Sequence, residues 1–156
     1  MPNSFGIILC WIYPVFAKFN GSYFGKATPI HLFWHSMDFV LTFFSGNAGP
    51  DTSKMDPVSK EAYSHEVISF GFWAGDSNLH EPAFYSYTYP EPKNLGEQPL
   101  QPSDANWITA NGTSMALLKY HDLINESDPE SALMAFLKSA YEAGMTLTGS
   151  FPELHS

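Results

Sequence analysis

Histidine and carboxylate side chains that could bind a metal ion occur in two short stretches of this chain. His31 and His35 are four residues apart, the spacing that puts two ligands on one face of a helix. Their surroundings are rich in aromatic and β-branched residues, which predicts strands, and on a strand this spacing separates the two side chains by about 13 Å. The pair that could share a metal is therefore His31 with His65, completed by the carboxylate of Asp38 or Glu66. The alternative, histidines hydrogen-bonded within a sheet and its loops, is favoured.

The sequence Ser64–Glu66 contains the residue types of a catalytic triad, but their order argues against one. Neighbouring side chains of a strand point to opposite faces of the sheet, so these three cannot relay a proton among themselves. No Gly-x-Ser-x-Gly nucleophile elbow is present. Glu66 shares its predicted face with three large apolar residues of the same strand, so its carboxylate needs a partner. Both a functional carboxylate and a strand-end side chain that reaches solvent fit this position.

Tyrosines alternate along residues 83–89, AFYSYTY, which places Tyr85 and Tyr87 on one face of a predicted strand. With Trp34 or Trp73 nearby, such a polar aromatic stripe suits the lining of a small-molecule cleft. It equally suits tyrosines that pack under a helix with their hydroxyls at its rim. Both interpretations stay open.

A predicted hairpin at residues 30–43 positions the first group of these side chains. A turn at residues 36–37 pairs His31 with Thr42. One face of the hairpin is then wholly apolar, and we expect it in the core. The other face is half polar and carries His31 and Asp38, so any chemistry is expected there.

The remaining elements follow from apolar periodicity and turn signals, and together they predict the fold class. Short links between successive strands favour an antiparallel meander of four or more strands, flanked by an N-terminal and a C-terminal helix packed on one face, an α+β fold. The predicted elements are an apolar helix at 5–17, a short helix at 57–63, strands at 64–73 and 83–89, a hairpin of 107–110 with 114–120, and a helix from the cap Asp128 to about Leu147.

Composition narrows the classes of partner and compartment. The 156 residues suit a single domain, residues 1–156, and the net charge of -9 argues against a nucleic-acid partner. The apolar run at 5–17 is too short for a bilayer span and lacks the basic start of a signal peptide, so we expect a cytoplasmic protein with no membrane partner. The single cysteine, Cys10, excludes an intramolecular disulfide and is predicted to be a buried structural thiol. No dinucleotide or phosphate-binding glycine motif is present, so no cofactor is expected.

Four blocks of the sequence have the length of family motifs: FGKATPIHLFWHSMDFVLTFFSGN, EAYSHEVISFGFWAG, EPAFYSYTYPEP and DPESALMAFLKSAYEAG. In this order, over residues 16–144, they resemble a bacterial family of unknown function. The resemblance implies a helix–strands–helix layout and implies that the chain corresponds to the C-terminal half of longer proteins. It implies no reaction.

The chain departs from that family's pattern at several positions. His35 stands where the family usually has glycine, Phe43 where it often has arginine, and Ala74 where it often has proline. No role for His35 therefore follows from the resemblance. The leading helix, normally charged, is nearly all apolar here. A missing half would leave a sheet edge or helix face uncovered, which favours self-association as a homo-oligomer.

Two functions from different classes are compatible with these observations. The preferred one is a non-catalytic module that binds a small ligand, or its own missing half, on the aromatic-lined sheet face. The alternative is a metal-assisted or acid/base enzyme that uses His31, His65 and a carboxylate. The candidate ligand-binding residues are His31, Trp34, Asp38, His65, Glu66, Tyr85 and Tyr87.

Overall fold

Helices and strands follow one another in the computed structural model largely as the apolar patterns predict. The structure describes residues 2–23, 25–33, 38–48, 65–75, 79–110 and 112–154, with only the backbone for residues 2–7, 33, 48 and 65. The helix predicted at 57–63 lies outside the described residues. The elements are, in chain order, α1 (Pro2–Gly21), β1 (Lys26–Ala27), β2 (His31–Phe33), β3 (Asp38–Ala48), β4 (His65–Trp73), β5 (Ala83–Tyr89), β6 (Asn106–Ala110), β7 (Thr113–Lys119), α2 (Tyr120–Ile124) and α3 (Pro129–Thr148).

The described strands form one seven-stranded antiparallel sheet, which confirms the α+β class. Strands β3, β4 and β5 are neighbours in sequence order, as a meander requires. Beyond them the order is β5-β7-β6, so the last hairpin is reversed and β6 forms the edge. The burial of the two strands accounts for this order. Ala116, Leu117 and Leu118 of β7 are buried, whereas β6 carries only partly buried and exposed residues.

The register between β2 and β3 differs from the predicted one by two residues. His31 lies opposite Val40 rather than Thr42, and the connection takes up residues 34–37, which lie outside the described part of the chain. A sheet's side chains alternate with period two, so the hydrophobic pattern cannot distinguish registers that differ by two. For the same reason the predicted faces are unchanged. Phe39, Leu41 and Phe43 are buried in the core.

Helices α1 and α3 cover one face of the sheet and form the main core with it. Helix α3 buries one face, which includes Leu133, Phe136, Leu137, Ala140 and Tyr141, and the predicted cap Asp128 accepts a hydrogen bond from the backbone N–H of Ser131 at 3.3 Å. The largest fully buried side chains of this core include Phe16, Phe19, Phe43, Phe70, Phe72, Phe84, Phe136 and Tyr141.

Helix α1 is longer than predicted and buries only one of its faces. Ile12, Phe16 and Phe19 enter the core, whereas Cys10 is exposed and Tyr13 is 52% exposed. The prediction of a buried thiol was therefore wrong, because the helix is apolar on its outer face as well. Within the described residues, no helix combines the length and apolar character that a membrane span requires.

Candidate functional site

The sheet face opposite the helices brings together several of the side chains that the sequence singles out. We call it the outer face. Cross-strand register defines it, because Asp38 pairs with Trp73, Val40 with Gly71, and Gly71 with Tyr85. The outer face includes His31, Asp38, Val40, Thr42, Phe44, Val67, Ser69, Gly71, Trp73, Ala83, Tyr85, Tyr87, Tyr89, Met115 and Leu117.

A hydrogen bond between Tyr85 and Asp38 spans three strands of this face. The phenol of Tyr85 on β5 donates to Asp38 Oδ1 on β3 at 2.7 Å, so its side chain crosses β4. Gly71 is the residue that it crosses. A Cβ atom built on Gly71 would lie 2.2 Å from Cζ of Tyr85, closer than any real contact. The glycine is therefore needed for the close approach of the ring.

The electrostatics of this pair follow from its partial removal from water. Burial raises the pKa of Asp38, and the hydrogen bond from Tyr85 opposes that rise. Burial, and next the negative charge of Asp38, raise the pKa of Tyr85, so its phenol stays protonated and acts as the donor. Among the described residues no basic side chain forms an ion pair with Asp38. The carboxylate thus has one neutral donor and no compensating charge there.

Aromatic rings stand on both sides of Tyr85. The ring of Trp73 meets that of Tyr85 edge-on at 5.1 Å between centroids, and the ring of Tyr87 is nearly parallel to it at 6.5 Å. Tyr85 is buried, whereas Trp73, Tyr87 and Asp38 are partly exposed. The exposed parts of these three side chains are therefore accessible to a ligand.

A polar pair extends the site along the sheet. The hydroxyls of Thr42 and Ser69, directly opposite each other on β3 and β4, are 2.9 Å apart and hydrogen-bonded. Ser69 is also the cross-strand neighbour of Tyr87. Ser69 is buried, so the polar groups accessible on this face near the aromatic rings are the carboxylate of Asp38 and the partly buried Thr42. In the described residues no three His, Cys, Asp or Glu side chains come close enough to hold a metal ion.

The histidines predicted as metal ligands occupy separate parts of the sheet. His31 is exposed on β2 in the row of Val40 and Gly71, while the backbone of His65 lies at the start of β4, six positions from Gly71. At about 3.3 Å per residue this separation is about 20 Å, too long for one metal ion. The metal-assisted alternative therefore gains no support from these positions.

The remaining predicted residues do not join the pair. Glu66 belongs to the face that the helices cover, as its position in β4 predicts, and its Oε1 atom is buried without a hydrogen-bond partner in the described residues. Trp34 lies outside the described part of the chain. The sequence predicts Trp34 or Trp73 beside the tyrosines, and in the structure Trp73 lies there.

Sequence reasoning did not anticipate the role of Gly71. The available signal was a glycine in the interior of a strand otherwise made of large residues, which indicates close approach by another group. The identity of that group follows only from the register of both neighbouring strands.

A separate cavity of about 700 Å³ lies between α1 and α3 in the described structure. Its charged lining residues carry both signs, with Lys18 and Lys138 against Glu130 and Glu142. Such a lining favours neither an anionic nor a cationic ligand, and none of the predicted site residues belongs to it.

Comparison with known proteins identifies a family without an assigned activity. The model of a family described as "Family of unknown function (DUF5996)" matches residues 3–152, and the chain belongs to that family. No curated protein and no solved structure matches the chain.

Proposed function

We propose that this member of a family of unknown function is a non-catalytic α+β module that binds a small ligand on its outer face. Asp38, Tyr85 and Tyr87, together with Trp73, would contact the ligand. The observation that carries the proposal is the hydrogen bond between Tyr85 and Asp38, made across Gly71. It holds a carboxylate in a fixed place beside aromatic rings, although the carboxylate has been partly desolvated.

The composition of the outer face supports binding rather than catalysis. Ligand sites in proteins are mostly apolar and aromatic, with a few fixed polar groups that orient the ligand. Here Ala83, Tyr85 and Leu117 form a second apolar cluster, separate from the main core, with Trp73 and Tyr87 packed against it. The accessible polar groups are the carboxylate of Asp38 and the partly buried hydroxyl of Thr42.

Mapping small-molecule binding by NMR tests the proposal. A fragment library is screened against the ¹⁵N-labelled protein, and amide shifts are followed for residues 38, 71, 73, 85 and 87. Fragments that bind are expected to shift these amides, and the Tyr85→Phe variant is expected to weaken their binding. Glu153→Gln, at an exposed position outside both the outer face and the cavity, serves as the control. Fragments that bind only in the cavity between α1 and α3, or none that bind at all, would contradict the proposal.

The resemblance and the composition support further proposals about context. We propose that the chain corresponds to the C-terminal half of a longer bacterial family protein, that it acts in the cytoplasm, and that it self-associates. The exposed apolar side chains of Tyr13 on α1 and Ile124 on α2 support a protein contact on the helical side. The net charge of -9 argues against nucleic acid as the partner. Light scattering of the purified protein tests self-association, and a monomer at all concentrations would exclude it.

A further inference from the structure

We infer that the ligand of the outer face carries an organic cation, an ammonium or quaternary ammonium group, that binds beside Asp38. This inference rests on the proposed function and specifies the class of its ligand. Its structural basis is a partly buried carboxylate that has no ion-pair partner among the described residues, together with aromatic rings on the same face of the sheet.

The charge balance at Asp38 favours a cationic ligand. Its side chain is partly buried, and Tyr85 Oη donates to Oδ1 at 2.7 Å. A neutral phenol supplies a hydrogen bond but no positive charge. A partly desolvated carboxylate is stabilised by a nearby positive charge, and an ammonium group that carries an N–H also forms a shorter and stronger hydrogen bond than a neutral donor does. Within the described residues the chain does not provide that cation.

The neighbouring aromatic rings also favour a cationic ligand. Trp73 lies directly opposite Asp38 in the register of β3 and β4, and Tyr87 follows Tyr85 on the same face of β5. Indole and phenol rings attract cations through their π faces, with tryptophan the strongest. The ring of Trp73 is partly exposed, so a cation beside the carboxylate can reach it, whereas Tyr87 lies four residues along β5 from Ala83, the partner of Trp73. Aromatic rings are the groups with which proteins typically recognise quaternary ammonium ligands.

Anions, neutral compounds and metal ions fit this site less well than an organic cation does. An anionic ligand would be repelled by Asp38 and by the net charge of -9. A neutral ligand would leave the charge of Asp38 uncompensated. A metal ion needs several oxygen, nitrogen or sulfur ligands, and the described residues bring no such group together here.

Matched pairs of cationic and neutral compounds test the inference. Choline is compared with its neutral isostere 3,3-dimethylbutan-1-ol, and benzylamine with benzyl alcohol. Each is titrated into ¹⁵N-labelled protein at pH 7 and constant ionic strength. We expect at least one cation to bind at residues 38, 73, 85 and 87 with an affinity at least tenfold higher than that of its neutral partner.

Two variants with the same change in net charge separate local from general electrostatics. Asp38→Asn keeps an acceptor for Tyr85 and removes the charge, and it is expected to lower the affinity for the cation at least tenfold. Glu153→Gln removes a charge from an exposed position after α3, away from both the outer face and the cavity, and is expected to leave the affinity unchanged. Equal losses in the two variants would overturn the inference, because they would indicate non-specific attraction to an acidic protein.

The outcomes also distinguish this inference from the proposed function. Neutral compounds that bind the outer face as tightly as the cations would overturn the inference and leave the proposed function intact. So would fragments that shift the outer-face amides when no cation does. Failure of every compound, charged or neutral, to shift these amides would overturn both.

Discussion

Replacement of Gly71 by alanine tests the central feature of the site, the passage of the Tyr85 ring over β4. The new Cβ would lie 2.2 Å from Cζ and 2.3 Å from the hydroxyl oxygen of Tyr85, so the ring has to move. Displacement would break the hydrogen bond to Asp38, worth about 1.5–3 kcal/mol because the acceptor is charged. It would also weaken the edge-on contact with Trp73, worth about 0.5–1.5 kcal/mol.

The effect of alanine on the unfolded chain partly offsets this loss of stability. Alanine restricts the unfolded chain more than glycine does, which favours folding by about 0.4–1 kcal/mol. We therefore expect Gly71→Ala to lower the free energy of unfolding by about 2 kcal/mol. For a chain of this size, that corresponds to a fall of about 4–8 °C in Tm.

A double-mutant cycle in urea-induced unfolding isolates the steric cause. In a Tyr85→Ala background no ring crosses β4, so Gly71→Ala is expected to be neutral or to stabilise by up to about 1 kcal/mol, and the coupling free energy should be about 2–3 kcal/mol. Gly21→Ala is the control, because a Cβ on Gly21 meets nothing within 4 Å. If Gly71→Ala costs the same with and without the ring of Tyr85, the assignment of its role is wrong.

Three further predictions concern the same face and its support. Burial raises the pKa of Asp38 above its ordinary value of 3.8, so the folded state binds this proton more tightly than the unfolded state. Protonation of Asp38 therefore favours folding below about pH 3.8, and this contribution to stability is lost as the pH rises through the raised pKa. The stability of Asp38→Asn relative to wild type, measured by urea unfolding at a series of pH values, should therefore increase from pH 3 and then level off; a flat difference would refute this. Tyr85→Phe keeps the ring and removes the donor, so it should cost about 1.5–3 kcal/mol in urea unfolding, and no loss would show that the hydrogen bond contributes nothing. Gly144→Ala should lower Tm although alanine favours helices, because its Cβ would lie 2.4 Å from Oγ1 of Thr88; an unchanged or higher Tm would show that the helix can shift without cost.

The fold was predictable from sequence wherever one periodicity held over a long segment. The predicted bounds of β5 are those observed, and the predicted helix beginning after Asp128 ends within one residue of α3. The alternation of large apolar residues in β4 also assigned its faces correctly. These features depend on local side-chain pattern, which the sequence displays directly.

Features that depend on pairing between distant segments were not predictable in the same way. The register of β2 on β3 and the reversed order of β6 and β7 belong to this class. The hydrogen bond from Tyr85 to Asp38 joins residues 47 positions apart and requires the registers of two strand pairs at once. The sequence indicated both residues as candidates, but the alternation pattern contains no information that they touch.

The arrangement of β1 and β2 has a consequence for how this sheet can be extended by another chain. β3 is an eleven-residue strand. On the side away from β4 it is paired with β2 at residues 38–40 and with β1 at residues 43–44. Between them the backbone N–H of Thr28 donates to the carbonyl of Thr42 at 2.9 Å. An incoming strand would find most of the hydrogen-bonding groups on this side already used, which protects the sheet from edge-to-edge aggregation. Among the described strands, the five-residue strand β6 at the opposite edge of the sheet is therefore the one to which a strand of another chain can be added.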